Sequence, residues 1–531
     1  MIQRTLLHKK VYFYLLLLLA ACMPLSIFAT TFLLICLAVN WVIEGNFIDK
    51  WRRLKNDKGF WVYTIIYVIH IIGMLWSEDF TYGLKDLKVK LPLLLVPFLI
   101  VTSGSPSLKE IKYILVSFIA GNVIASLAVV LALTNIIPVE ISEYRNASIF
   151  ISHIRFSLMI VLSIGFAFYL EFLDKERIST GFRYFLLFSL IWLPVFLVIL
   201  RSLSGIVILI TLVFFITFLL VRTVRAPKGR LMLTIFMIFI PLFVILYTGG
   251  SIKKFYTIEN IAPEDIDSVT FEGNRYENFL DNKEIENGHY IWLHVCPEEL
   301  EREWAKRSYY DYKGKSDNGN FLRFTLIRYM TSMGLRKDAI GMAQLEDKDI
   351  EAIEKGIANH IYLRRLAFYP RIYEVIWEID RYKLGHSPND KSLVQRLFYF
   401  KAGFTIAKEN MLMGVGTGDV RQSFDEYYEQ SDSPLRHERR RRGHNQYLTF
   451  FLTFGIIGGI LCILALLIPV FIKKRWGSYM TTILFFTMVL SMLNEDTLET
   501  TTGAVLFSLF YALFIFGPDW PWKKKENTFV D

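Results

Sequence analysis

Cysteine is scarce in this chain and poorly placed for a framework. Of four in 531 residues, Cys22, Cys36 and Cys462 fall in apolar runs and Cys296 alone falls in a polar stretch. Neither a disulfide scaffold nor a CxxC metal pair is implied. There is no HExxH zinc pair, no GxxxxGK[ST] phosphate loop and no GxGxxG following a strand, which removes the common metallohydrolase, nucleotide-hydrolase and dinucleotide-binding classes. Internal repeats and low-complexity tracts are missing too. His437 and His444 are seven residues apart but stand among arginines, whose charge opposes a metal cation. No metal, no other cofactor and no nucleic-acid partner is expected.

What is abundant is apolar sequence. The chain is 53% hydrophobic and 15% aromatic, with a mean hydropathy of +0.37. Such a composition excludes an ordinary soluble domain and fits an all-α, polytopic membrane protein. Apolar runs lie near 11–28, 30–44, 60–76, 88–103, 111–134 and 151–171, then near 183–200, 204–221, 231–248, 446–471, 478–493 and 502–517. We read them as about twelve transmembrane helices, since a spanning helix needs ~20 apolar residues and shorter runs extend into their flanks. The first run has a basic flank, Lys9 and Lys10, as a signal peptide does. It lacks a clear small-residue cleavage site, so it is read as retained.

Lysine and arginine placement gives the orientation. With a cytoplasmic amino terminus the even-numbered connections should be basic. They carry Lys50, Arg52, Arg53, Lys55 and Lys58; Lys175, Arg177 and Arg183; Arg222, Arg225, Lys228 and Arg230; and Lys473, Lys474 and Arg475, while the short segment from Ser103 to Lys109 is less basic. The tail adds Lys523, Lys524 and Lys525. Both termini are therefore expected in the cytoplasm, and the long stretch after the ninth span faces outward. The expected divisions are 1–248 (spans one to nine), 249–445 (an outer, mostly helical subdomain) and 446–531 (spans ten to twelve and a basic tail).

The outer stretch is too long to be a structureless loop. Ile350, Ile353, Ile357 and Ile361 recur at helical spacing behind the acidic turn of Glu346, Asp347 and Asp349. FLRFTLIRYM and RIYEVIWEIDRYK mix aromatics with cations. That suits either a helical subdomain or a surface for sugars and phosphates. Asn146-Ala-Ser148 matches a glycosylation triplet. The GVGTGD of Gly414–Asp419 reads either as a backbone cradle for a phosphate or as a turn returning the chain to the membrane.

Several ionisable residues collect on the outer side under this topology. Arg155 opens the sixth span, Arg201 lies in the turn between the seventh and eighth, and Glu495, Asp496 and Glu499 lie between the eleventh and twelfth. The run RHERRRRGHNQYLTFFLTFGIIGG, from Arg436 to Gly459, leads from clustered cations through His444 into the tenth span. Ionisable groups at membrane depth are costly and usually face a cavity; interfacial snorkelling is the competing role. An imidazole that titrates near neutral pH beside strong anion binders such as Arg442 suits chemistry on a phosphate-bearing, membrane-borne substrate. A juxtamembrane basic anchor is the alternative.

His444-Asn445, nine residues, Gly455, two residues, Gly458 resembles the H-N/S/Q-x9-G-xx-G signature of the O-antigen ligase and O-antigen polymerase superfamily. SLVQRLFYFKAGFTIAKENMLMGVGTGDV is similar to that family's approach to the signature, and LNEDTLETTTGAVLF to the end of one branch. The resemblance implies glycosyl transfer outside the cytoplasmic membrane of a bacterium. The donor would be a glycan on undecaprenyl diphosphate; the acceptor would be lipid A–core for a ligase, or a growing glycan for a polymerase. It implies His444 as general base and Arg396 as one diphosphate-binding arginine. The other family arginine lies in the turn between spans seven and eight. Arg201 stands there three residues earlier than the pattern, so Arg155 competes for the role. Arg442, Asn445 and Glu495 complete the expected substrate contacts, Glu495 by orienting an arginine or the histidine. A transporter of the same lipid-linked glycan is the alternative from another class, but paired broken helices in two similar halves are not evident.

Overall fold

The computed structural model describes residues 2–134, 136, 150–174, 180–224, 226–262, 264, 266–364, 368–389 and 391–520. The Asn146-Ala-Ser148 triplet, Lys175, Arg177, Arg225 and Lys523, Lys524 and Lys525 lie outside these residues. Each of the twelve apolar runs is a helix. They are α1 (Ile2–Cys22), α2 (Ile27–Glu44), α3 (Lys58–Ile72), α4 (Phe80–Ser103), α5 (Leu108–Leu133), α6 (His153–Phe168), α7 (Thr180–Ile199), α8 (Leu203–Thr223), α9 (Pro227–Tyr256), α10 (Gln446–Ile472), α11 (Tyr479–Asn494) and α12 (Thr501–Ile515). Among the described residues, eight helices are long and apolar enough to cross a membrane, and α11 and α12 are shorter apolar helices. Lys85, Asp86, Lys88 and Lys90 in its first turns set α4 apart. The protein is an all-α, polytopic membrane protein.

Side chains at the helix starts explain where the runs begin. Ser26 accepts the N–H of Ala29 at the start of α2, Asp57 that of Phe60 at α3 and Asp79 that of Tyr82 at α4, while Ser107 and Glu110 close a capping box on α5.

The chain divides into two compact units, residues 1–216 with 388–531, and residues 217–387. In the first, α12 is buried continuously from Thr502 to Ile515. Its apolar residues run all the way round, as a fully enclosed helix requires. Phe510 lies against Phe118 of α5 and Phe166 of α6, with ring centroids 4.8 and 4.9 Å apart, and Tyr511 lies 4.6 Å from Tyr63 of α3. The turn entering α12 is therefore fixed from within the bundle.

The break in α10 shapes the same end of this unit. Gly455 has φ 67° and ψ −172°, so the helix is interrupted there. The chain from Met411 to Thr417 fills the gap. Val415 and Gly416 donate their N–H groups to the carbonyls of Leu452 and Thr453, and Ile456 donates to the carbonyl of Met411, at 2.8–2.9 Å. The strap then ties to the end of α3. Thr417 donates its hydroxyl to the His70 carbonyl at 2.7 Å, and Asp419 caps the N–H groups of Glu78 and Asp79. A Cβ at position 455 would stand 2.2 Å from the carbonyl oxygen of Leu412. Gly455→Ala should therefore lower stability by about 2–4 kcal/mol, combining left-handed strain with overpacking. An unchanged thermal unfolding midpoint in detergent would contradict this.

The second unit contains α9 and a small helical domain with one short antiparallel pair, β1 (Ile285–Glu286) and β2 (His289–Tyr290). Its core gathers Trp304, Leu322, Leu326, Tyr329, Met330 and Ile353. The helix behind the acidic turn runs Asp347–Glu354 and stops short of Ile357 and Ile361, because Gly356 takes φ +83°. Ile361 falls instead in the short 3-10 turn His360–Leu363. One cation of each mixed stretch turns inward: Arg328 and Arg381 each lie over the Trp377 ring, at 4.5 and 5.2 Å.

Candidate active site

Four pieces of the first unit meet at one end of the bundle: the helix Ser392–Glu409, the arginine-rich approach to α10, the turn between α11 and α12, and the first turn of α6. The approach is pinned by its backbone, since Tyr399 and Tyr428 donate their hydroxyls to the carbonyls of Arg439 and Arg441 at 2.6 and 2.7 Å. His444 follows with φ 48°, a conformation that histidine enters more readily than most residues but still at a cost of order 1 kcal/mol. The Tyr399 ring lies beside its imidazole, with centroids 5.4 Å apart.

Glu495 joins the parts. Its Oε1 accepts a hydrogen bond from Nη2 of Arg396 at 2.5 Å, and its Oε2 lies 3.5 Å from Nδ1 of His444. Nη1 of Arg396 donates to the carbonyl of Asn494 at 3.1 Å. Burial pushes the Glu495 carboxyl up, but the contact with His444 and the charges of Arg396 and Arg155 outweigh it and hold the group below its usual range. An ionised Glu495 facing Nδ1 favours the tautomer that carries its proton there, which leaves Nε2 of His444 to accept one. Separations of this length are common at such pairs before substrate closes the site. His444 and Arg396 each keep 27% of their side chains exposed, so both reach an incoming molecule.

The other expected residues take varied places. Arg155 donates Nε to the hydroxyl of Thr500 at 2.8 Å, on the turn that carries Glu495. Asn445 holds structure: its side-chain oxygen caps α10 at the Leu448 N–H and its amide donates to the Leu493 carbonyl. Arg442 donates to Glu499 at 3.0 Å and lies 3.3 Å from the Tyr82 hydroxyl. Arg201 adopts φ 52° in the turn between α7 and α8. That turn abuts the start of α6, where a Cβ at Gly205 would meet Ser157; Arg201 thus stands at the same end of the bundle as Arg155.

The GVGTGD segment serves the strap and not a phosphate. The N–H groups of Val415, Gly416 and Thr417 go to the carbonyls of Leu452, Thr453 and Gly73, and that of Gly418 goes to the Ser77 hydroxyl. A groove of about 580 Å³ opens beside it, walled by Trp76, Asn410 and Tyr427 among others, and its lining excludes His444, Arg396 and Glu495.

Sequence reading missed Lys90, Asp86, Tyr399 and Gln446. Lys90 is 2% exposed and bonds both Asp86 and Glu499, the latter at 2.7 Å. Its signal was a cation inside the first turns of an apolar run. Among the described residues no group of His, Cys, Asp and Glu is arranged to hold a metal ion.

No curated protein matches the chain. Residues 361–463 match the family model described as O-antigen ligase. The matched segment holds Arg396, the strap, His444 and Gly455, while Glu495 and Arg155 lie outside it. This match supports membership of the O-antigen ligase and polymerase superfamily, a group of membrane glycosyltransferase-type enzymes that act on lipid-linked glycans.

Proposed function

We propose that the protein transfers a polysaccharide from undecaprenyl diphosphate to a hydroxyl of lipid A–core, at the periplasmic face of the cytoplasmic membrane. The observation that carries this reading is the Arg396–Glu495–His444 arrangement. Nε2 of His444 takes the proton of the acceptor hydroxyl while its oxygen forms the new bond to the anomeric carbon. The bond from that carbon to the diphosphate oxygen breaks on the opposite face, so the anomeric centre inverts. Undecaprenyl diphosphate leaves with its charge held by Arg396 and by Arg155 or Arg201, whose planar forks match phosphate oxygens. Arg442 and Asn445 contribute by holding the segments on either side of the base. The lysine and arginine placement supports a cytoplasmic position for both termini and an outward-facing site. The outward stretch 249–445 is the part that elaborates acceptor recognition.

Purified protein in liposomes, given lipid-linked glycan and lipid A–core in the presence of EDTA, tests the reading. The expected result is a lipid A–core product of retarded gel mobility, formed at the same rate with and without chelator, because the arginines supply the charge a metal otherwise would. Translocated glycan without covalent product would assign a transporter. Extension of the lipid-linked glycan itself would assign a polymerase.

A further inference from the structure

Beneath the Arg396–Glu495–His444 arrangement lies a second set of charges, of which the proposed mechanism uses Arg442 alone. Glu499, 5% exposed at its side chain, receives three hydrogen bonds from three elements. Oε2 accepts from Nζ of Lys90 on α4 at 2.7 Å and from Nη2 of Arg442, two residues before His444, at 3.0 Å. Oε1 accepts from the side-chain amide of Gln446, two residues after His444, at 3.0 Å. The Gln446 oxygen returns to the turn by accepting the N–H of Leu498 at 2.8 Å. Asp86 bonds Lys90 from the preceding turn of α4. Residues on both sides of His444 thus rest on one carboxylate. Asp496 connects this set to the base. Its Oδ1 accepts from Thr449 at 2.9 Å, and it feels the charges of Arg442, Glu499 and His444 together.

We propose that Glu499 is a positioning residue that also sets the charge around His444: it seats the segments flanking the base, and its carboxylate offsets the positive charges of Lys90 and Arg442 beneath it. The inference rests on His444 acting as the base. The groups facing His444 are Glu495, with Arg396 and Arg155 behind it, Asp496 on the same turn, Tyr399 with Arg439 and Arg441, and Arg442 on its own segment. Substituting Glu499 or Lys90 changes the field on the imidazole while leaving these neighbours in place.

The sign follows from Coulomb's law. Glu499→Gln keeps most of the hydrogen bonds but unmasks one positive charge, which disfavours the imidazolium. The acid limb of the pH–rate profile should move to lower pH, by roughly 0.5 unit or more, with a several-fold lower plateau because a weaker base works less well. Lys90→Met removes a cation and should move the limb to higher pH. The double variant should return it towards wild type. A scaffold that only holds shape would lower activity in both single variants without moving their limbs in opposite directions.

The measurement is transfer rate against pH in liposomes at saturating donor and acceptor, with thermal unfolding as a check on folding. Should Lys90→Met not be recovered folded, Arg442→Gln at the rim of the set carries the same expected direction. Limbs that stay in place, or that move together, would overturn the proposal. Absence of transfer by the wild-type protein would instead reject the assigned reaction.

Discussion

His444→Ala should abolish glycan transfer while leaving the protein folded in the membrane. A positioned general base contributes about 10²–10⁴-fold to rate, and here the acceptor is a sugar hydroxyl, a poor nucleophile until its proton is taken. The alternative of a spectator histidine in a basic anchor predicts no more than a change in membrane attachment. Because His444 sits at φ 48°, alanine also brings backbone strain of about 1–2 kcal/mol. His444→Asn separates the two effects. Asparagine accepts the left-handed conformation but has no basic nitrogen, so it too should be inactive and should unfold close to the wild-type temperature. Product formation is read by gel mobility at matched protein levels. Wild-type transfer by either variant would end the assignment of His444 as base.

Arg396→Lys should cut kcat/KM for the lipid-linked donor by about 10²-fold, equivalent to about 2.7 kcal/mol of transition-state binding. The charge survives this change, and the fork does not. Arg396 reaches Glu495 and the Asn494 carbonyl through separate nitrogens, which leaves the remaining edge of its guanidinium to meet diphosphate oxygens. A lysine ammonium cannot hold both protein contacts and also present paired donors to phosphate. Kinetics at fixed acceptor concentration should place the loss in the donor step, with the KM for acceptor nearly unchanged. Full activity in the lysine variant would show that charge alone suffices.

Much of this was readable from residues alone, and the exceptions have physical causes. The twelve runs and the convergence of His444, Glu495 and Arg155 on one end followed from hydropathy and cation placement, and Arg396 from the resemblance to the ligase superfamily. Lys90 escaped because a cation at the edge of an apolar run is normally taken to mark the membrane boundary. Helix α4 instead begins ten residues earlier, at Phe80, and carries Lys90 inward to carboxylates. The isoleucine spacing at 350–361 overran its helix because Gly356 stops the backbone while the apolar pattern continues in the next turn. The glycines of GVGTGD suggested a nest of free N–H groups. Only the broken helix α10 reveals the carbonyls that take them.

The enclosure of α12 bears on how the enzyme is made. This helix follows the other eleven during synthesis, spans only 15 residues and is buried from Thr502 to Ile515. It presents almost no surface to lipid, so the bilayer alone gives it little reason to stay, and its place exists only once α3, α5 and α6 are already assembled. The turn bearing Glu495 and Glu499 arrives with it. Insertion of α12 is then the moment at which His444 gains Glu495. On the proposed mechanism, a ribosome-bound intermediate halted before that point lacks the carboxylate beside His444.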